Sequence, residues 1–466
     1  MLTQREARAG LGPILADGTT VGELVDIDRR EVSARVIHDR ELYELELRNI
    51  FAKAWIAVGH ESEIPRPGDY VTRYVGEDNV IVSRADDGSV HVSLNVCVHR
   101  GMQVCRSEMG HTERFKCPYH GFSFGKDGRL LGAPFERARY GDILRGSNLS
   151  LRQARVELFG GLVFCTWDER APELREFLGD IAWYLEALLC GTDAGFEVLG
   201  PPQRVVIEAN WKTAAEQLHT DGYHVATLHR TLADLGIVAQ KRDAESWSLY
   251  AVDLSTEIGH AFRCFDATKV WSAYEGANEG ALTAMDKLRR MPPMGIPAEL
   301  VPQLEKNLSP GQLQLLADTP PTVGEVWPNL GVLWFPGAYE IGKVGPMAGF
   351  HTLVPKGPDR MEFWTWLIAA KDASPEYKEL LTRSAMRNLG PGGVVEADDA
   401  EAWPAQQHSA RGVIGRQETW KYQTFLGENR PADWAGPGLV YEGMTKDDAQ
   451  WQFWLRWHDF MTEQAW

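Results

Sequence analysis

The sequence predicts an α+β protein: a small all-β domain followed by a larger domain with an antiparallel sheet flanked by helices. Three observations predict it. Residues 58–166 hold short β-branched runs broken by turn signals, including two Asp-Gly pairs between strand-like runs, the mark of hairpins. Beyond residue 168, helical stretches such as "LREFLGDIAWYLEALL" alternate with apolar strand-like runs. The composition, 44% apolar and 24% charged over 466 residues, permits a large core.

The elements follow in order. Residues 22–57 read as helical, with Leu42, Leu45, Leu47, Ile50 and Phe51 near one stripe of "RVIHDRELYELELRNIFAKAW". Residues 1–52 are assigned to an N-terminal helical segment packing on the larger domain, 53–167 to the β domain and 168–466 to the larger domain. Within the β domain, "YVTRYV", "NVIVSRADDGSVHVSLNV", "SFGKDGRLLG" and "GGLVFCTW" read as strands and hairpins. In the larger domain "QRVVIEANW" is strand-like, and "KTAAEQLHTDGYHVATLHRTL" is helical with Gly222 as its weak point. Residues 272–321 read as loop-rich and are placed at the mouth of a binding pocket. "VGEVWPNLGVLWFPGAYE" supplies further strands. "AGFHTLVPKGPDRMEFWTWLIAA" reads as a hairpin, and "PEYKELLTRSAMRNLG" and "KDDAQWQFWLRWHDFMTEQ" as helices. There is no internal repeat.

Lys and Arg number 48 against 65 Asp and Glu, a net charge of −17. Nucleic acid and anionic membrane both reward a basic surface, so neither is expected as a partner. No apolar run approaches the roughly 20 residues of a membrane helix, and the N-terminus lacks a signal-peptide pattern. A cytoplasmic protein is expected, with its six cysteines as thiols or metal ligands. Cys105, Cys165, Cys190 and Cys264 have no histidine at ligand spacing and read as small buried hydrophobes.

The other two cysteines differ. "LNVCVHRGMQVC" and "FKCPYHGFSFG" place Cys97 beside His99 and Cys117 beside His120. This Cys2His2 set admits a structural zinc, or a Rieske [2Fe–2S] centre in which two histidines replace two cysteines on one iron. Zinc fingers group their cysteines and then their histidines, whereas here each loop carries one of each. Gly101 and Gly121 are expected to let backbone amides approach the sulfides.

A second constellation lies in "NWKTAAEQLHTDGYHVATLHR", with Glu216, His219, Asp221, Tyr223, His224 and His229. Two histidines and a carboxylate form the facial triad of non-heme Fe(II) sites. His224 and His229 lie about 140° apart on a regular helix and converge only where it is distorted or ends. His219 and His224 have the same spacing, so spacing alone does not select the pair.

"CVHRGMQVC … CPYHGFSFGKDGRLLGAPFE" closely resembles the Rieske loops of aromatic-ring-hydroxylating oxygenase large subunits, and the similarity runs over nearly the whole chain. The resemblance implies a helix-grip catalytic domain and two cofactors, a [2Fe–2S] cluster on Cys97, His99, Cys117 and His120, and a mononuclear Fe(II). The family pattern D-x2-H-x4-H matches Asp221, His224 and His229, which leaves His219 structural. "LGPGGVVEADDAEAW" resembles the late segment that supplies the third ligand, Asp399, with Asp398 the fallback. Asp221 would bridge His224 to His120 of a neighbouring subunit in a trimeric ring. Gln217, where the family often has Asn, and Leu218, Val225, Leu389 and Val395 would wall the pocket. Relatives can carry larger aromatic side chains at Leu389 and Val395, which implies room for a polycyclic or biaryl substrate.

The implied reaction is O2-dependent cis-dihydroxylation of that arene. The chain has no G-x-G-x-x-G nucleotide fingerprint, so electrons would arrive from a separate reductase through a ferredoxin. A small β subunit (α3β3) or an α3 homotrimer is expected, and the C-terminal aromatics Trp451, Phe453, Trp454 and Trp457 could meet that subunit or pack in the core. The alternatives are a Rieske monooxygenase or demethylase, and a non-catalytic electron carrier.

Overall fold

The computed structural model describes residues 12–135, 149–230, 232, 250–271, 282–340, 342–390, 392–424, 427, 431 and 434–464. Two compact units emerge: Phe51–Ala171, and Met1–Ile50 together with Pro172–Trp466. Among the described residues no helix is long and apolar enough to cross a membrane.

The unit Phe51–Ala171 is built from three small antiparallel sheets. One is four-stranded, in the order Val90–Leu94, Asp78–Arg84, Asp69–Val75, Met109–His111. Both Asp-Gly sites turn hairpins. Ala85 N–H donates to Ser89 O between Asp78–Arg84 and Val90–Leu94, and Gly125 N–H donates to Arg129 O between Ser123–Phe124 and Leu130–Gly132. A core of Ile81, Val104, Phe115, Phe122, Phe124 and Leu151 closes around Cys97 and Cys117.

The larger unit is organised on a nine-stranded antiparallel sheet. Its order is Phe196–Val198, Met361–Ala370, Lys343–Pro355, Leu330–Glu340, Pro321–Val326, Ala261–Phe265, Ala251–Ser255, Leu439–Glu442. Gln203–Ile207 also pairs along Met361–Ala370. Residues of both faces of the central strands are buried, so this sheet is covered on two sides, unlike a half-solvated antiparallel sheet. Helix Pro375–Asn388 packs on Leu330–Glu340 and Lys343–Pro355.

Four expectations change. Cys190, read as buried, is exposed, whereas Cys105, Cys165 and Cys264 are buried. Residues 22–39 hold no α-helix: two short 3-10 helices, Val21–Leu24 and Ala34–Ile37, flank a hairpin of Val25–Asp26 and Glu31–Ser33, and the α-helix starts only at Arg40, where Asp39 caps the N–H groups of Glu41 and Leu42. The loop-rich segment holds helices Ala284–Arg290, Val301–Asn307 and Pro310–Asp318; the last two carry proline in their first turn, where it is compatible with helix. Residues 272–281 lie outside the described residues. The stretch from Trp211 is two helices, Trp211–Leu218 and Tyr223–Thr227. Between them Thr220 takes φ +67°, and Gly222 lies so close to the Met444 carbonyl that a Cβ would overlap it.

The "NWK" lead-in anchors the first of these helices. Asn210 Oδ1 caps it by accepting from Lys212 N–H at 3.1 Å. The indole N–H groups of Trp211 and Trp457 donate to the buried Glu46 carboxylate at 2.9 and 2.8 Å, and Lys212 Nζ donates to the same carboxylate. The helix is thereby tied to both the N-terminal segment and helix Asp448–Met461. Trp451, Phe453, Trp454 and Trp457 are buried on that helix, so they pack in the core.

Candidate metal centres and substrate cavity

The two loops of the β unit close in the same way despite their different spacing. Cys97 C=O accepts from Gly101 N–H at 2.8 Å, and Cys117 C=O accepts from Gly121 N–H at 3.0 Å. Cys97 N–H donates to Met102 O and Cys117 N–H to Phe122 O, both at 2.8 Å. Both glycines sit in the left-handed region, at φ +72° and +73°. Their amides are thus committed to their own turns and do not face sulfur; the amides that reach Cys97 Sγ belong to His99 and Arg100. What glycine supplies is the turn itself. Buried Asn95 pins the return of the first loop by accepting from the amides of Val104 and Cys105 and donating to Cys105 O.

The four side chains converge in pairs. Cys97 and Cys117 lie in mutual contact, and burial raises the Cys97 thiol pKa. The imidazoles of His99 and His120 stand edge to face at 4.6 Å, and Phe122 of the second loop stacks on His99 at 4.7 Å. His99 Nδ1 is buried without a hydrogen-bond partner, which is costly unless a ligand takes it. The four do not gather around one point as the ligands of a single zinc would. Among the described residues, only His224, His229 and Asp399 bring three ligand atoms within 4.8 Å of one another. Two cysteines on one side and two histidines on the other fit a two-iron cluster.

The second centre depends on how Tyr223–Thr227 ends. His229 N–H reaches back five residues to His224 O at 3.3 Å, a widened last turn that brings the two rings to 4.9 Å. Asp399, on helix Glu396–Arg411, points Oδ1 to within 3.2 Å of His229 Nε2 and 4.0 Å of His224 Nε2. The opposite ring nitrogens meet other carboxylates. His224 Nδ1 is 3.1 Å from Asp221 Oδ2, and His229 Nδ1 is 3.5 Å from Asp398 Oδ2. Burial lowers the His229 pKa, but Asp399 and Asp398 outweigh it and hold the pKa above the usual value. Burial opposes ionisation of Asp221, yet His224 and Arg263 keep its pKa low. Arg263 also holds the loop between the helices through the Thr220 and Asp221 carbonyls, while gripping Asp253 at 2.7 Å.

The neighbouring candidates turn away. His219 is buried with Nδ1 2.8 Å from Glu325 Oε2, and burial depresses its pKa far below normal. Glu216 is half-buried against Tyr422, and desolvation, reinforced by Asp221, lifts its pKa to about 8.

Above the three ligand atoms lies a cavity with mainly apolar walls. Gln217, Leu218, Val225, Leu389 and Val395 all line it. Of the loop-rich segment's described residues, none does. Sequence reasoning missed the far wall: Trp271, Phe335, His351, Phe363, Glu396 and Trp403. These come from strands and a helix distant in sequence, and no local pattern marks them. His351 and Glu396 form a buried polar spot, Nε2 to Oε1 3.2 Å, where burial depresses the histidine to about 3 and lifts the glutamate to about 8.

Residues 54–151 match the Rieske [2Fe-2S] domain family, and residues 174–424 match the family described as ring hydroxylating alpha subunit (catalytic domain). The chain belongs to the ring-hydroxylating alpha subunits. The benzene 1,2-dioxygenase subunit alpha of Pseudomonas putida is 33% identical over 445 residues, 95% of this chain and 94% of its own. The biphenyl 2,3-dioxygenase subunit alpha of Rhodococcus jostii is 33% identical over 466 residues, 99% of this chain and 95% of its own. The crystal structure of naphthalene 1,2-dioxygenase from Rhodococcus sp. bound to indole superposes with a TM-score of 0.85 at 33% identity, covering 95% of this chain and 97% of that one. This alpha subunit is therefore the terminal oxygenase component of an aromatic-ring dioxygenase, an oxidoreductase that carries a Rieske [2Fe–2S] cluster and a mononuclear iron.

Proposed function

We propose that this alpha subunit adds both atoms of O2 across a double bond of a polycyclic or biaryl arene to give a cis-dihydrodiol. The observation that carries the reading is the convergence of His224, His229 and Asp399, three ligand atoms within 4.8 Å of one another, in the wall of a mainly apolar cavity. Such a set leaves positions free for O2 beside a bound substrate. The small side chains at Leu389 and Val395 and the biphenyl and naphthalene relatives favour a substrate larger than one ring.

The residue roles follow. Cys97, His99, Cys117 and His120 hold the cluster, and His224, His229 and Asp399 hold Fe(II). When bound, the iron supplies O2 activation and the cluster supplies electrons singly. The chain's own part is positioning and exclusion of water. Leu218, Val225, Leu389 and Val395 orient the arene by shape. Asp398 steadies the outer nitrogen of His229. Asp221 accepts from His224 Nδ1 and, across a ring of three subunits, from His120 of the partner subunit, coupling one chain's cluster to the next chain's iron. A ferredoxin and a reductase feed the cluster, a small β subunit completes an α3β3 assembly or the ring stands alone as α3, and the enzyme works in the cytoplasm.

The test is in two parts. Anaerobically purified protein is assayed for metal and sulfide; about three irons and two sulfides per chain are expected. Naphthalene, biphenyl and benzene are then supplied with a ferredoxin and reductase, and the products resolved by stereochemistry. Zinc without sulfide would overturn the cofactor roles. Monohydroxylation, or formaldehyde release from an N-methylated arene with no diol from any hydrocarbon, would replace dioxygenation with the monooxygenase reading.

A further inference from the structure

Gln217 stands at the last turn of helix Trp211–Leu218 with its amide between the two elements that build the iron site. Its Nε2 donates to Asp399 Oδ1 at 2.6 Å and lies 3.3 Å from His224 Nε2. Its Oε1 accepts from Trp403 Nε1 at 2.8 Å. Asp399 and Trp403 are four residues apart on helix Glu396–Arg411, so one face of one helix grips both ends of the same amide. Trp403 is only 2% exposed and packs against Phe363, ring centroids 5.5 Å apart, so it has little freedom to leave.

The chemistry of the two partners makes this arrangement directional. An indole N–H can only donate, and an ionised carboxylate can only accept. Trp403 therefore requires the carbonyl oxygen of Gln217 on its side, and Asp399 requires the NH2 group on the other. Turned over, the amide would set an oxygen against the Asp399 carboxylate and leave a buried indole N–H unpaired, a penalty of desolvation with nothing to offset it. In the observed orientation one N–H is used by Asp399. The second lies on the side of His224 Nε2, which has no lone pair left to accept it once that nitrogen holds a metal.

We propose that Trp403 is a positioning residue of the iron centre: through its indole N–H it holds the Gln217 amide so that its NH2 group faces Asp399 and His224 Nε2. The inference rests on the reading of His224, His229 and Asp399 as the iron ligands. Its consequence is twofold. Asp399 is oriented by a fixed donor, and Gln217 would present a hydrogen-bond donor beside the ligand atoms in place of a carbonyl oxygen that could itself coordinate.

The test uses the full chain with its cluster intact and its mononuclear iron removed by a chelator. Fe(II) is titrated back into wild type, Trp403→Phe, Gln217→Met and the double variant, and the nitric oxide adduct of each reloaded protein is examined by EPR. Partners that orient a metal ligand typically contribute about 10–100-fold to affinity, so each single variant is expected to raise the Fe(II) Kd by about 10–100-fold. The double variant is expected to bind no more weakly than Gln217→Met alone, because Trp403 acts through the amide. Both single variants are expected to change the EPR signal of the nitrosyl. Should Trp403→Phe fail to fold, Gln217→Glu replaces it: the carboxylate still accepts from Trp403 but turns an oxygen toward Asp399, and an altered affinity and nitrosyl spectrum are expected. Wild-type affinity and spectrum in Trp403→Phe, or in Gln217→Glu where that variant stands in, overturn the proposal, as do losses that simply multiply in the double variant. A wild-type chain that binds no Fe(II) at all overturns the ligand reading itself, and this inference with it.

Discussion

Asp221 stands 3.1 Å from Nδ1 of His224, on the ring edge away from the Nε2 that faces Asp399. The same imidazole is thus addressed by a carboxylate on each side, one toward the iron site and one toward the outside of it. Asp221→Ala should keep both metals, since it removes no ligand, while steady-state turnover collapses. Metal analysis, together with the rate at which a reduced cluster is reoxidised in the presence of substrate and O2, separates the two effects. Near-normal turnover would remove Asp221 from the electron path.

The paired aspartates should behave differently from each other. Asp399 faces Nε2 of His229, whereas Asp398 faces its Nδ1. Asp399→Asn is expected to lose mononuclear iron outright. Asp398→Asn is expected to retain it with Fe(II) affinity weakened by about 10–100-fold. Equal losses in the two variants would mean that the assignment within the pair is wrong.

Cavity width should set substrate size. Leu389 and Val395 line the cavity and are almost fully buried, so a larger side chain at either must intrude on the bound arene. Val395→Phe is expected to lower kcat/KM for biphenyl by roughly 10–200-fold, corresponding to about 1–3 kcal/mol, and to spare benzene. Parallel losses on both substrates would indicate general damage to the site.

The anchor beneath the site is a stability device. Lys212 and Glu46 are fully buried partners, and burial pulls the lysine pKa down although Glu46 opposes this. Removing one member leaves the other as an uncompensated buried charge. Lys212→Met is expected to cost about 3–5 kcal/mol, read by denaturant unfolding. A cost below about 1 kcal/mol would show that the pair contributes little.

His260 gives an acid limb to the stability profile. Its Nε2–H donates to Phe177 O at 2.8 Å, and its Nδ1 accepts from Trp327 N–H at 3.0 Å, so the fold admits only the neutral ring. Burial depresses its pKa to about 3 from its ordinary value of 6.5. The unfolded chain therefore binds the extra proton between these values. Stability is complete above about pH 6.5 and falls as pH drops toward 3. At pH 5 this one group should account for about 2 kcal/mol of the loss. The drop in unfolding free energy from pH 7 to pH 5 should be smaller by about that amount in His260→Gln. An unchanged drop would assign the acid limb to other groups.

The sequence by itself determined the chemistry and much of the local structure. Cys97, His99, Cys117 and His120 are legible as a proposed ligand set because each Cys–His pair sits within one short loop, and Asp-Gly turns declare their hairpins because φ > 0 restricts the residues that can serve there. Asp221, His224 and His229 are legible as a group for the same reason of proximity. The helix drawn through His219 with Gly222 as its weak point ends already at Leu218, where Thr220 turns to φ +67°; the Met444 carbonyl beside residue 222 leaves room only for glycine, a contact no local pattern records.

Only the tertiary structure decided how the groups face one another. Equal spacing left His219 and His229 as rivals; burial beside Glu325 takes one away, and a widened helix end turns the other toward His224. Adjacent Asp398 and Asp399 part company because successive helical residues point about 100° apart, so only one can reach Nε2. The grip of Trp403 on Gln217 joins two helices far apart in the chain. Such contacts are set by the sheet order and by the buried Glu46 anchor, which are global results of excluding apolar surface from water rather than properties of any short segment.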